Sequence, residues 1–88
     1  MTTKEVEIVN RAGIHTRPAS LIVKTAARFK SEIYIGKDGY EVNAKSIIGV
    51  MTLAASKGTV LLIKAYGDDE SDCVDALIEL ISSGFGEP

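Results

Sequence analysis

The chain has 88 residues, 45% apolar and 25% charged, with ten Lys and Arg against twelve Asp and Glu for a formal net charge of −2. That length holds one domain spanning 1–88, and a slightly acidic chain without tryptophan lacks the basic excess and stacking aromatics of a nucleic-acid-binding module. A single cysteine excludes an internal disulfide and a single histidine beside it excludes the usual metal sites, while no apolar run nears the ~20 residues that span a membrane; with no secretory pattern at Met1-Thr2-Thr3-Lys4-Glu5, the cytoplasm is the expected compartment.

Glu5-Val6-Glu7-Ile8-Val9 alternates and is β-branched, which predicts a first strand. Asn10-Arg11-Ala12-Gly13 breaks the pattern as a loop. Residues 16–29 then place Ala19, Ile22, Val23, Ala26 and Phe29 at helical spacing. Pro18 falls in the first turn of that helix, where its missing N–H costs nothing. Ile33-Tyr34-Ile35 and Tyr40-Glu41-Val42 flank Gly36-Lys37-Asp38-Gly39, and Asp-Gly between β-rich runs predicts a hairpin. Ser46 precedes Ile47, Ile48, Val50 and Met51, a short apolar helix with serine as its N-cap. Lys57-Gly58-Thr59 turns the chain into residues 60–66, the most apolar strand and the one expected at the centre of the sheet.

Gly67-Asp68-Asp69-Glu70 is a turn whose acidic residues suit a helix N-terminus. With Asp72 they are read as helix capping, because the spacing of a calcium loop is missing. Val74, Leu77, Ile78 and Ile81 carry the last helix, with Cys73 buried or half-buried on it, Gly84 at C′ and Phe85 packing back. Strand, helix, strand, strand, helix, strand, helix is the order of an α+β two-layer domain, an antiparallel sheet covered by helices on one face.

The chemistry gathers at Gly13-Ile14-His15-Thr16-Arg17-Pro18-Ala19. An imidazole nitrogen is free to attack an electrophile near neutral pH and, unlike a serine hydroxyl, needs no base to remove a proton first. A helix start presents unpaired amides, here those of Thr16 and Arg17, to an anion. Arg17 adds a permanent charge with donors shaped for phosphate oxygens. Gly13 allows a sharp turn and is expected to keep side-chain bulk from the ring. These parts suit a phosphoryl group held on nitrogen. No second acid, base or nucleophile stands near in sequence, which fits a carrier rather than a turnover enzyme. A lone histidine at a helix start is otherwise a plain polar cap.

Residues 13–19 resemble the active-site signature of the HPr family, the histidine-containing phosphocarriers of the sugar phosphotransferase system. Lys45-Ser46-Ile47-Ile48-Gly49-Val50-Met51 resembles that family's regulatory serine and following helix, and the length, element order and Gly84-Phe85-Gly86-Glu87 ending also fit. The resemblance implies an open-faced β-sandwich of four antiparallel strands with three helices on one side. It implies no cofactor. His15 would accept phosphate through Nδ1 from enzyme I, itself charged by phosphoenolpyruvate, and pass it to IIA components of sugar permeases. Arg17 would neutralise the phosphoryl charge, and Ser46 would be the target of HPr kinase/phosphorylase. Three departures, Ile14, Ile48 and Ala54, leave His15, Arg17 and Ser46 untouched and bear on partner preference; the family more often has Leu, Met or Leu, and Gly at those positions.

The docking surface is expected to include Thr16, Arg17, Ser20, Lys24, Ile47, Ile48 and Met51. Within it, Ile47 and Met51 should be largely exposed and Val50 buried, since a short helix cannot bury all its apolar residues and exposed apolar patches mark contact sites. Arg17, Lys24, Arg28, Lys45 and Lys57 offer a basic rim for acidic partners. A carrier that visits several partners in turn is expected to be a monomer. Two alternatives stand beside the sugar-branch carrier: a purely regulatory module controlled at Ser46 that docks to a transcription factor or metabolic enzyme, and a nitrogen-branch carrier; a regulatory protein is a further expected partner. Retention of His15 with Arg17 favours a carrier, and the Ser46 motif favours the sugar branch.

Overall fold

The chain alternates apolar and polar residues where it must cover one side of a sheet, and the computed structural model, which describes all 88 residues, shows what that alternation builds. The elements are β1 (Thr2–Glu7), α1 (Thr16–Ala26), β2 (Glu32–Lys37), β3 (Tyr40–Asn43), α2 (Ile47–Thr52), β4 (Val60–Tyr66) and α3 (Glu70–Ser82), followed by a 3-10 turn at Gly84–Gly86. The strands form one sheet in the order β1-β4-β2-β3, and every neighbouring pair is antiparallel.

β4 lies inside the sheet, as its apolar composition predicts, paired with β1 on one side and β2 on the other. Its Leu61, Ile63 and Ala65 are buried with Val6 of β1, Ile33 and Ile35 of β2 and Val42 of β3. Ala19, Ile22 and Ala26 of α1, Val50 of α2 and Val74, Leu77 and Ile81 of α3 close the same core from the helical layer. Strand side chains alternate between faces, so Glu5, Glu7, Glu32, Glu41 and Tyr66 lie on the uncovered face, where they are exposed. This is the open-faced sandwich. Asp38 and Gly39 both have positive φ, 51° and 81°, which is the primed turn that Asp-Gly favours in a two-residue hairpin.

Three expectations shift. β1 covers residues 2–7, not 5–9, because Thr2, Thr3 and Lys4 pair with Ala65, Lys64 and Ile63; a polar start suits an edge strand. α1 stops at Ala26 instead of reaching residue 29. The amides of Arg28 and Phe29 bond three residues back, to Thr25 and Ala26, so the last turn tightens while Phe29 still packs on the core. Asp69 stands at the N-cap of α3 without capping it. Its carboxylate instead accepts the amides of Lys30 and Ser31, at 2.8 and 3.0 Å, and the Ser31 hydroxyl, tying α3 to the loop before β2. Those bonds, led by the Ser31 hydroxyl, hold the Asp69 carboxyl below its ordinary value. Cys73 is buried, and burial pushes its thiol up to about 11. No helix is long and apolar enough to cross a membrane.

Candidate functional site

His15 is the N-cap of α1, with extended backbone at φ −96°, and its carbonyl accepts the amide of Ala19 at 3.0 Å. Its side chain makes no capping bond, so the plain polar-cap reading of this residue fails. The ring is exposed and turns the other way, placing Nε2 2.9 Å from Glu87 Oε1. Thr16 and Arg17 occupy the first two helical positions, whose amides have no carbonyl one turn earlier to bond. Pro18 and Ala19, buried behind them, fix the helix against the core.

Arg17 reaches over the same spot. Its Nη1 donates to the Phe85 carbonyl at 3.0 Å and to Glu87 Oε2 at 2.9 Å. Asn10 completes the cluster, its Nδ2 donating to Glu87 Oε1 at 2.9 Å and to the Gly13 carbonyl at 2.8 Å. The hydrogen bond to His15, then the one from Asn10, with a smaller share from Arg17, holds the Glu87 carboxyl below the ordinary carboxylate range. An ionised carboxylate only accepts. In the neutral ring Nε2 must therefore carry the proton of that bond, which leaves Nδ1 with a bare lone pair.

The loop geometry explains how these groups meet. Gly13 has φ +68°, and a Cβ there would collide with the Ala55 carbonyl oxygen and lie 2.9 Å from Ser56 Cα. Gly13 therefore serves the close approach of residues 55–56, seen also in the Ile14 amide bonding Ala55 O at 2.9 Å, and not clearance around the ring. After α3, Gly84, Phe85 and Gly86 all adopt left-handed backbone, with φ of 70°, 59° and 72°. Such a conformation is costly at phenylalanine, about 1–2 kcal/mol. Burying the ring, which is 2% exposed, stabilises by a comparable or larger amount, about 1.5–3 kcal/mol. That turn delivers Glu87 to His15. The Arg11 amide then bonds the Pro88 carbonyl at 2.8 Å and holds the tail in place.

Ser46 caps α2, accepting the Gly49 amide at 3.1 Å while its side chain stays exposed. α2 packs beside α1. Val50 is buried, and Ile48 is the most exposed of the other three at 75%, against 38% for Ile47 and 43% for Met51. The outward apex of α2 is thus Ile48, ahead of Ile47 and Met51. Thr16 and Lys24 are exposed and Ser20 is half-buried. In the basic rim Lys24, Arg28, Lys45 and Lys57 are all exposed, but Lys45 is engaged with the Phe29 carbonyl at 2.7 Å and Arg28 lies 5.4 Å above the Phe29 ring.

Glu87 and Asn10 are the residues that sequence reasoning missed. Glu87 lies 72 residues beyond His15, and Asn10 reads as an ordinary loop residue. The only sequence signal was the run Gly84-Phe85-Gly86, which announces a reversal of the chain after α3.

A family model described as "PTS HPr component phosphorylation site" matches residues 2–83. Phosphocarrier protein HPr of Neisseria meningitidis is 44% identical over 87 residues, covering 99% of this chain and 98% of its own. The crystal structure of HPr-C-His from Thermoanaerobacter tengcongensis superposes with a TM-score of 0.96 at 49% identity, covering 100% and 99% of the two chains. Crh of Bacillus subtilis, described as a catabolite repression protein forming a dimer with a swapped domain, superposes with a TM-score of 0.77 at 40% identity over 96% and 97%. An open-faced β-sandwich with a histidine at a helix start is thus the frame of a phosphocarrier and not of a turnover enzyme. The chain belongs to the HPr family. The Crh dimer means that the expected monomer is no rule among its relatives.

Proposed function

We propose that the whole chain, acting as one domain, carries a phosphoryl group on His15 Nδ1 between phosphorylated enzyme I and the IIA components of sugar permeases. The observation that carries this reading is the pairing of His15 Nε2 with Glu87 beside Arg17 at the start of α1. The Nδ1 lone pair forms the new N–P bond as the donor–P bond breaks and the donor leaves with its electron pair. No proton has to leave the attacking nitrogen. Arg17, held near the ring by Glu87 and the Phe85 carbonyl, can exchange a carboxylate partner for the phosphoryl oxygens, and the amides of Thr16 and Arg17 face the same anion. Transfer onward reverses these steps.

Docking falls to the outward groups of α1 and α2: exposed Thr16, Arg17 and Lys24 with half-buried Ser20, and Ile47, Ile48 and Met51. Ser46 lies at the edge of that patch and is the proposed site for HPr kinase/phosphorylase. Its phosphate would add about two negative charges beside apolar contacts and weaken docking to enzyme I. We take the carrier to work in the cytoplasm. Similarity to Crh favours one second reading, a regulatory module acting through Ser46 on a regulatory protein.

Phosphorus NMR with phosphoenolpyruvate and catalytic enzyme I tests the proposal. An acid-labile, base-stable phosphohistidine signal that vanishes in His15→Ala is the expected result. Folded protein that shows no such signal with its own organism's enzyme I would leave the regulatory module as the function.

A further inference from the structure

Asn10 is buried to 1% exposure, yet its Oδ1 has no hydrogen-bond partner. A buried acceptor left unpaired destabilises a fold, so a residue kept in that state needs a reason. The other end of the amide supplies one. Nδ2 donates twice, to the Gly13 carbonyl at 2.8 Å and to Glu87 Oε1 at 2.9 Å. The same Gly13 oxygen receives the backbone amide of His15 at 3.2 Å, and the same Glu87 oxygen meets His15 Nε2 at 2.9 Å. Asn10 therefore holds both oxygens that His15 uses, one for its backbone and one for its ring. Meeting both acceptors with Nδ2 turns Oδ1 away, which accounts for the orphaned atom.

We propose that Asn10 is a positioning residue for His15, locking Glu87 Oε1 where it takes the Nε2 proton and so keeping Nδ1 bare for phosphoryl transfer. The proposal rests on the carrier reading and adds to it a residue that touches neither the ring nor the phosphoryl group. Without Asn10, Glu87 sits on a three-bond side chain beside Gly86, with Arg17 as the competing partner for the carboxylate. A carboxylate drawn to Arg17 alone would free the ring to carry its proton on either nitrogen. The molecules protonated at Nδ1 could not attack phosphorus.

The test reads the ring directly, by long-range proton–nitrogen correlation on the unphosphorylated protein in alkaline buffer. In the wild type the Nε2–H form should dominate. Asn10→Leu, which keeps the site filled and removes both donors, should raise the Nδ1–H population. It should also slow phosphorylation by enzyme I about tenfold, the scale on which outer partners of a working histidine act. Glu87→Ala should shift the tautomers the same way, and the double variant should add nothing further, since Asn10 acts on the ring through Glu87. An unmoved tautomer in folded Asn10→Leu overturns the proposal, whatever the rate. If Asn10→Leu does not fold, the Asn10 side-chain amide is followed in Glu87→Ala: its proton should move upfield, and an unmoved proton overturns the proposal. Because the tautomer is read without phosphate, wild-type protein that never accepts a phosphoryl group refutes the carrier reading separately.

Discussion

Gly13 and Ala54 both have positive φ, but only one has the residue that suits it. At Gly13, φ +68° and the backbone of residues 55–56 leave no room for a side chain. Gly13→Ala should destabilise by about 2 kcal/mol or more, from left-handed strain together with overpacking. Ala54 holds φ +48° with a Cβ in place. Its departure from the family's usual glycine is therefore a small stability loss located in the backbone. Ala54→Gly should stabilise by about 0.5 kcal/mol, the relief of strain being partly offset by the freedom glycine gains in the unfolded chain. Urea melts of the two variants check both signs, with the midpoint moving at constant slope.

At the scale of the element, α2 separates two roles of one serine. As N-cap, Ser46 stabilises through its acceptor, and Ser46→Ala should cost about 1 kcal/mol. Aspartate is also a good N-cap, so Ser46→Asp should keep the stability while placing a charge beside Ile48, the most exposed apolar side chain of α2. Calorimetric titration with enzyme I should then show weaker binding for Ser46→Asp and near-normal binding for Ser46→Ala. Equal affinities would count against regulation by charge at this position. The turn after α3 works by a comparable division: Phe85 is anchored in the core so that Glu87 can reach the surface.

For the whole molecule, acid stability follows from carboxylates fixed across the fold. Glu70 binds the Thr2 hydroxyl, the N-terminal ammonium and the Gly67 amide, and in that order these bring its carboxyl from 4.5 to about 2. Asp69 and Glu87 are also lowered, each by bonds to another part of the chain. A carboxyl depressed in the folded state contributes stability that is complete above its ordinary pKa and disappears as pH falls through the folded value. Thermal melts should therefore be flat in this contribution above about pH 5 and fall steadily toward pH 2. Glu70→Gln should lower the melting temperature at neutral pH and flatten that descent. An acid slope unchanged by the substitution would show that these contacts do not link β1 and α3 energetically.

Periodicity and turn chemistry were enough to read all seven principal elements in order, the central place of β4, the Asp38-Gly39 hairpin and the Ser46 cap, because each depends on residues close together in the chain. His15 and Arg17 were legible for the same reason, being two residues apart at a helix start. What the sequence alone did not disclose is long-range. Asp69 holds residues 30 and 31 instead of its own helix, and Gly13 yields to residues 55–56 instead of the ring. Glu87 joins His15 and Asn10 because a buried phenylalanine turns the chain back across the first loop. Local spacing singled out His15 as the residue proposed to carry a phosphoryl group; packing between distant segments decided which of its two nitrogens stands free, because the partner that takes the ring proton comes from the other end of the chain.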